Sequence, residues 1–253
     1  ASGDVNGYTV SYMNVSKDKF AGQSSARLSV DMGDLGVIAY DAGSGSGLAT
    51  IDDKTPTAAE EIWDGLDGGG ASSTSVGGLV GAAGNTGVLN YVKSMAGITF
   101  NGAMRRGSGT GNSDGSSSGA GGSAWDFALT GSGDIVGLDG LSWGAGYGET
   151  DDKPETSAFV KSGDEHATAF ITYSSGPVTI GYQESSINYG AAATASEEAQ
   201  AWGIAFNVND SLSVSYGERE VEYGTVSAAH VTEKGEGIAI AYTMGSMKIA
   251  GNR

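Results

Sequence analysis

The chain has 253 residues, among them 44 Gly, 3 Pro and no Cys, and its formal net charge is −17. Without cysteine there is no disulfide framework and no thiolate metal site, and so acidic a chain repels phosphate backbones, which argues against nucleic acid as a partner. The glycine content argues against a helical bundle, the scarcity of proline against a disordered Gly/Pro polymer, and no run of 18 apolar residues encodes a membrane-spanning helix.

Taken in chain order, the residues alternate with period two in run after run, the signal of half-buried strands joined as hairpins. Thirteen strands are predicted, at 8–15, 26–32, 36–41, 88–93, 98–105, 125–130, 141–147, 167–173, 178–184, 201–208, 212–219, 237–243 and 247–250. Arg27 to Met32 turns at Gly33-Asp34 into the strand ending near Asp41. Leu89 to Lys93 turns between Ser94 and Gly97 into Ile98 to Met104. Ala167 to Tyr173 turns at Ser174 to Pro177 into Val178 to Gln183, and Trp202 to Val208 turns at Asn209 to Ser211 into Leu212 to Gly217. Ile238 to Tyr242 turns near Gly245 into Met247 to Ile249.

The connections sort by length. Short turns close the hairpins, and long polar segments link one hairpin to the next, at 16–25, 42–87, 106–124, 148–166, 185–200 and 220–236. Short turns at one end and long loops at the other mark transmembrane β-barrels. One face of the strands carries Leu, Val, Ile and aromatic residues. Tyr91, Trp125, Trp143, Tyr147, Tyr173, Tyr182, Trp202, Tyr216 and Tyr242 fall near strand ends, where interfacial girdles sit. The other face carries Ser29, Asp31, Thr99, Asn101, Asp126, Thr179, Gln183, Ser213 and Ser215, mostly small and hydrophilic, and implies a wide passage. A soluble sheet with one wet face is the competing architecture. The expected fold class is all-β, an antiparallel transmembrane β-barrel forming one domain over 1–253.

Aligned by hairpins, the chain resembles the trimeric general-diffusion porins of Gram-negative outer membranes, especially their alphaproteobacterial branch. The segment from Asn85 to Phe100 and the hairpin from Leu28 to Asp41 carry the likeness. The resemblance implies a sixteen-stranded barrel of which the thirteen strands are the third to the fifteenth. It also implies a homotrimer in lipid and lipopolysaccharide, and passive passage of small hydrophilic solutes. The chain would then be incomplete at both ends, and 42–87 would be the constriction loop that folds into the pore.

Within that loop Thr55 to Gly65 reads as a short helix near 56–64, which Thr55 or Thr57 can cap, with Pro56 suited to the first turn, Gly65 to the exit, and Thr57 and Glu60 at capping-box spacing. Ile62 and Trp63 are candidate anchors to the wall. Asp41, Asp52, Asp53, Glu60, Glu61, Asp64 and Asp67 form the acidic side of a constriction that favours cations. Arg27, Arg105 and Arg219 point away from the apolar face and are candidates for the basic wall opposite; alternatively they end strands and contact water or lipopolysaccharide. Asp52, Asp53, Glu60 and Glu61 offer the hard oxygen ligands of Ca²⁺ without EF-hand spacing, and no other cofactor is expected. No enzyme is expected either. His166 and His230, the two histidines, lie in predicted loops, and the Gly/Ser run from Gly107 to Gly111 has no helix after it to cradle a phosphate.

Overall fold

In the computed structural model, residues 1–16, 23–42, 47–52, 54–59, 86–106, 123–150, 163–188, 196–225 and 228–253 are described. They form one antiparallel sheet of 14 strands in strict sequence order. The strands are β1 Ser2–Val5, β2 Tyr8–Ser16, β3 Gln23–Asp31, β4 Val37–Ala42, β5 Thr86–Met95, β6 Ile98–Arg105 and β7 Ala124–Ser132. They continue as β8 Leu141–Thr150, β9 Glu165–Ser175, β10 Val178–Asn188, β11 Glu197–Asn207, β12 Leu212–Thr225, β13 Ala228–Met244 and β14 Met247–Asn252. Among the described residues β1 and β14 are the two edges, with no ladder between them.

Thirteen of these are the predicted strands, and β1 is additional. Four residues are too few to display alternation, but the signal for β1 lies in the turn. Asn6 and Gly7 take φ of 54° and 83°, the left-handed pair that a two-residue hairpin requires and that Asn-Gly favours. The β5–β6 turn uses the same geometry with Ala96 (φ 52°) and Gly97 (φ 81°). An L-residue other than Asn or Asp costs about 1–2 kcal/mol there. Ala96→Gly is therefore expected to stabilise the protein by about 0.5–1 kcal/mol, read as a higher urea midpoint; an unchanged or lower midpoint would contradict it.

Two expectations about the loops are corrected. The segment 220–236 is a hairpin: β12 runs to Thr225 and β13 starts at Ala228. Its sequence reads as a polar loop because the outward residues there are charged, Glu220 forming a cross-strand ion pair with Lys234, while Val221 faces inward and is buried. Charge on both ends of a ladder defeats an apolar-alternation search without weakening the ladder. His166 and His230 likewise lie in strands, β9 and β13, rather than in loops.

The two faces differ throughout. Outward residues include Leu28, Ile38, Leu89, Ile171, Ile180, Ile204, Ile238, Ile240 and Ile249, all large, apolar and exposed. Aromatic side chains border this belt. Toward the short turns lie Tyr8, Tyr173, Phe206 and Tyr242; toward the long loops lie Tyr40, Trp125, Tyr182 and Trp202. The upper row is continuous in places, with ring centroids 5.9 Å apart for Trp125 and Tyr147 and 5.5 Å for Trp202 and Tyr216. Above this row the strands continue, and carboxylates take over: the hydroxyls of Tyr147 and Tyr216 donate to Glu149 at 2.9 Å and Glu218 at 2.6 Å. The girdle thus sits below the strand ends rather than at them.

Candidate functional site

The inside of the curved sheet is occupied by the chain itself. After β4, residues 47–52 and 54–59 run as a strap along the inner wall. The strap begins with a single 3₁₀ turn, Gly47–Ile51. Gly47 has φ of 58°, and a Cβ on it would lie 1.7 Å from Asp126 Oδ1, so both backbone conformation and space require glycine. Two orphan amides of that turn find acceptors on the wall: Gly47 N–H donates to Asn101 Oδ1 (2.9 Å) and Leu48 N–H to Asp126 Oδ1 (2.9 Å). Leu48 and Ile51, fully buried, pack with Ala128 and Phe170 from the sheet. Each such side chain contributes about 1.5–3 kcal/mol of burial.

Further along, Gln183 Nε2 donates to the carbonyls of Ile51 (2.7 Å) and Asp52 (2.5 Å), and Gln183 Oε1 accepts from Lys54 N–H (2.8 Å). Ala58 N–H then donates to Ser215 Oγ (2.8 Å), and Ala58 packs on Ala239 and Ala241. The strap therefore crosses from β6 to β13. Its height is set by strand tilt. Following ladder partners from Asn101 through Ala128, Gly146, Thr168, Ser185 and Ala199 leads to Val221, six residues above Ser215 on β12. A drop of about one residue per strand sets the strap roughly 35° off the perpendicular to the strands, about the angle by which barrel strands ordinarily tilt.

Inward glycines form its seat. A Cβ at Gly146 would lie 2.5 Å from Leu48 Cδ1, at Gly181 2.5 Å from Pro56 Cδ, and at Gly203 2.7 Å from the Pro56 carbonyl oxygen. The small inner residues thus serve to receive the strap along this wall, and the wide passage expected from them is narrowed to that extent. The inner face is also less uniformly polar than expected. Phe170 lies under the strap, and Ile187, Ala199 and Val221 form a second buried apolar cluster inside. Alternation does not reveal Phe170, because a residue covered by chain from a distant loop needs no polarity.

Of the expected helix near 56–64, residues 56–59 are described and are irregular. Pro56 and Ala58 are used instead as contact points against Gly181, Gly203 and Ser215. Glu60, Glu61, Ile62, Trp63, Asp64 and Asp67 lie outside the described residues, as does Asp53. Asp52 is half-buried on the strap. Asp41 is on β4, in register with Arg27, and the same row continues through Val88 to Arg105. Arg27 Nη2 donates to Asn90 Oδ1 (3.4 Å), and Asn90 Nδ2 donates to Asn101 Oδ1 (2.5 Å) and the Gly102 carbonyl (2.9 Å). This network ends at the amide of Gly47, tying Arg27 to the root of the strap. Arg219 is separated from the other two. It is inward and buried on β12, four residues toward the long loops from the strap anchor Ser215. The structure thus ties Arg27 to the strap's root, keeps Arg105 in the same ladder row, and sets Arg219 on β12, above the strap's far end. Among the described residues no group of three or more His, Cys, Asp or Glu could hold a metal.

No protein-family model matches the chain, and no curated protein matches it. Solved structures do. An anion-selective porin from Comamonas acidovorans superposes with a TM-score of 0.67 at 10% identity, covering 99% of this chain and 75% of that one. Salmonella typhi OmpF in complex with daunomycin gives 0.58 at 11%, covering 97% and 81%. OmpT of Vibrio cholerae, an outer membrane protein folded in vitro and solved in trimer form, gives 0.52 at 14%, covering 97% and 84%. At these identities the likeness is one of fold: the chain has the antiparallel architecture of outer-membrane β-barrels.

Proposed function

We propose that this chain forms a water-filled pore in a bacterial outer membrane, through which small hydrophilic solutes and ions diffuse passively. One observation carries this reading: the outward face is an apolar belt bordered by aromatic rows, while amides, hydroxyls, arginines and a backbone strap line the inside. In water such a belt would greatly exceed the few hundred Å² of contiguous apolar surface that soluble monomers expose. Against acyl chains it needs no partner, and the Tyr and Trp rows place their polar atoms at the headgroup level. The chain works without catalysis or cofactor. It assembles as a homotrimer, each protomer with its own passage, in contact with lipid and lipopolysaccharide.

Purified protein in a planar bilayer is expected to produce stepwise currents in threes. Silence would remove the pore and favour a non-conducting barrel with a structural or adhesive role. That second reading draws on the strap's cover of the inner wall and on the inner apolar cluster of Ile187, Ala199 and Val221.

The passage is weakly cation-selective, with Asp52, Asp53, Glu60, Glu61, Asp64 and Asp67 of the loop facing a wall that carries Arg27 and Arg105, and with Asp41 beside Arg27 on that wall, in a chain of net charge −17. Combined Glu60→Gln, Glu61→Gln and Asp64→Asn substitution is expected to move the reversal potential in a salt gradient toward zero. A reversal potential of anionic sign in the unaltered protein would exclude cation preference. An unchanged potential in the triple variant would place those three carboxylates outside the conduction path.

A further inference from the structure

Gln183 stands apart among the groups that hold the strap. Asn101 and Asp126 receive single amides where the chain has just left β4, and Ser215 receives one amide near Ala58. Gln183 lies between these anchors. Among the described residues it alone uses both ends of its side chain on the strap, two donations to carbonyls and one acceptance from an amide, spanning Ile51 to Lys54. It is 6% exposed, so water cannot easily replace those partners. A carboxamide also suits the task chemically. It offers a donor group and an acceptor together without a charge, which would be costly to bury between Gly181 and Phe170 of the wall and Ile51 of the strap.

The three bonds hold the backbone of Ile51, Asp52 and Lys54 against the wall. Ile51 is consequently fully buried, while Asp52 and Lys54 stay half-exposed on the strap. We propose that Gln183 is a positioning residue that fixes both the bore of the pore and the placement of the charges at Asp52 and Lys54 within it. This rests on the pore reading above and adds a specific residue to it: one wall amide, rather than the root of the loop, decides how far the strap stands from the wall at mid-crossing.

The test compares the unaltered protein, Gln183→Ala and the isosteric Gln183→Glu in planar bilayers with potassium chloride, with heat-modifiability on gels as the control for folding. Gln183→Ala removes all three bonds. It is expected to raise the frequency of transitions between conductance levels by at least about tenfold, since loss of even one buried bond shifts such an equilibrium by that order. The reversal potential should shift with it. Gln183→Glu keeps the acceptor for Lys54 N–H and sets an oxygen against two carbonyls, so it should flicker like alanine while folding like the unaltered protein. If the unaltered protein conducts and both variants show its conductance, noise and reversal potential, the positioning role is overturned and the pore reading survives. If the unaltered protein is silent, the pore reading itself fails. Should Gln183→Ala not fold, Gln183→Glu alone decides: quiet, unshifted currents overturn the role, and flicker supports it.

Discussion

Arginine at position 204 is expected to weaken folding into lipid by about 2–4 kcal/mol, the cost of a cation on the lipid face near the bilayer midplane. Ile204 is outward, exposed, and placed between Trp202 and Phe206 on β11, with Ile180 and Tyr216 as its ladder partners. The paired control is Ser213→Lys. Ser213 faces inward, donates to Asn207 Oδ1 (2.7 Å) and is not buried, so lysine there should cost less than about 0.5 kcal/mol. Urea unfolding from vesicles measures both. Equal costs at the two positions would mean that the belt does not meet hydrocarbon, and the membrane reading would fall with it.

Valine at position 203 is expected to dislodge the middle of the strap while leaving the sheet intact. Gly203 faces inward on β11, and even its Cβ would meet the Pro56 carbonyl at 2.7 Å. Backbone cannot rotate away as a side chain can, so the strap must lift from its seat. Overpacking of this kind costs about 1–3 kcal/mol, comparable to the bonds at Gln183 and Ser215 that hold the strap. The single conductance level should break into several, with heat-modifiability unchanged. Gly251→Val is the control, because a Cβ there meets nothing within 4 Å. If position 203 tolerates valine as silently as position 251 does, the strap does not rest on the wall in the lipid-embedded protein.

Much of the fold was legible because strands facing two solvents write their pattern into every second residue. Val178, Ile180 and Tyr182 against Thr179, Gly181 and Gln183 identify both the strand and its faces. The inward candidates Asn101, Asp126, Gln183 and Ser215 were found in this way, and all four hold the strap. What they hold was not legible. Asn101 and Gly47 are 54 positions apart and Gln183 and Ile51 132 apart, and no local periodicity encodes such a meeting. The expected helix near 56–64 shows the same gap from the other side. Its capping-box spacing is a local preference, and it does not encode that Pro56 and Ala58 meet Gly181, Gly203 and Ser215 on the wall.

The sequence by itself determined the alternation of an apolar outer face with a small, hydrophilic inner one, how the hairpins follow one another, and that most connections are short at one end and long at the other. These depend on side-chain period and turn chemistry, which act over a few residues. Only the tertiary structure decided that the small inner residues are a seat, that Phe170 belongs inside, and that Arg27 and Arg105 stand apart from Arg219. These depend on closing loops of many tens of residues against a curved wall, where steric fit and buried hydrogen bonds between distant segments outweigh local preference.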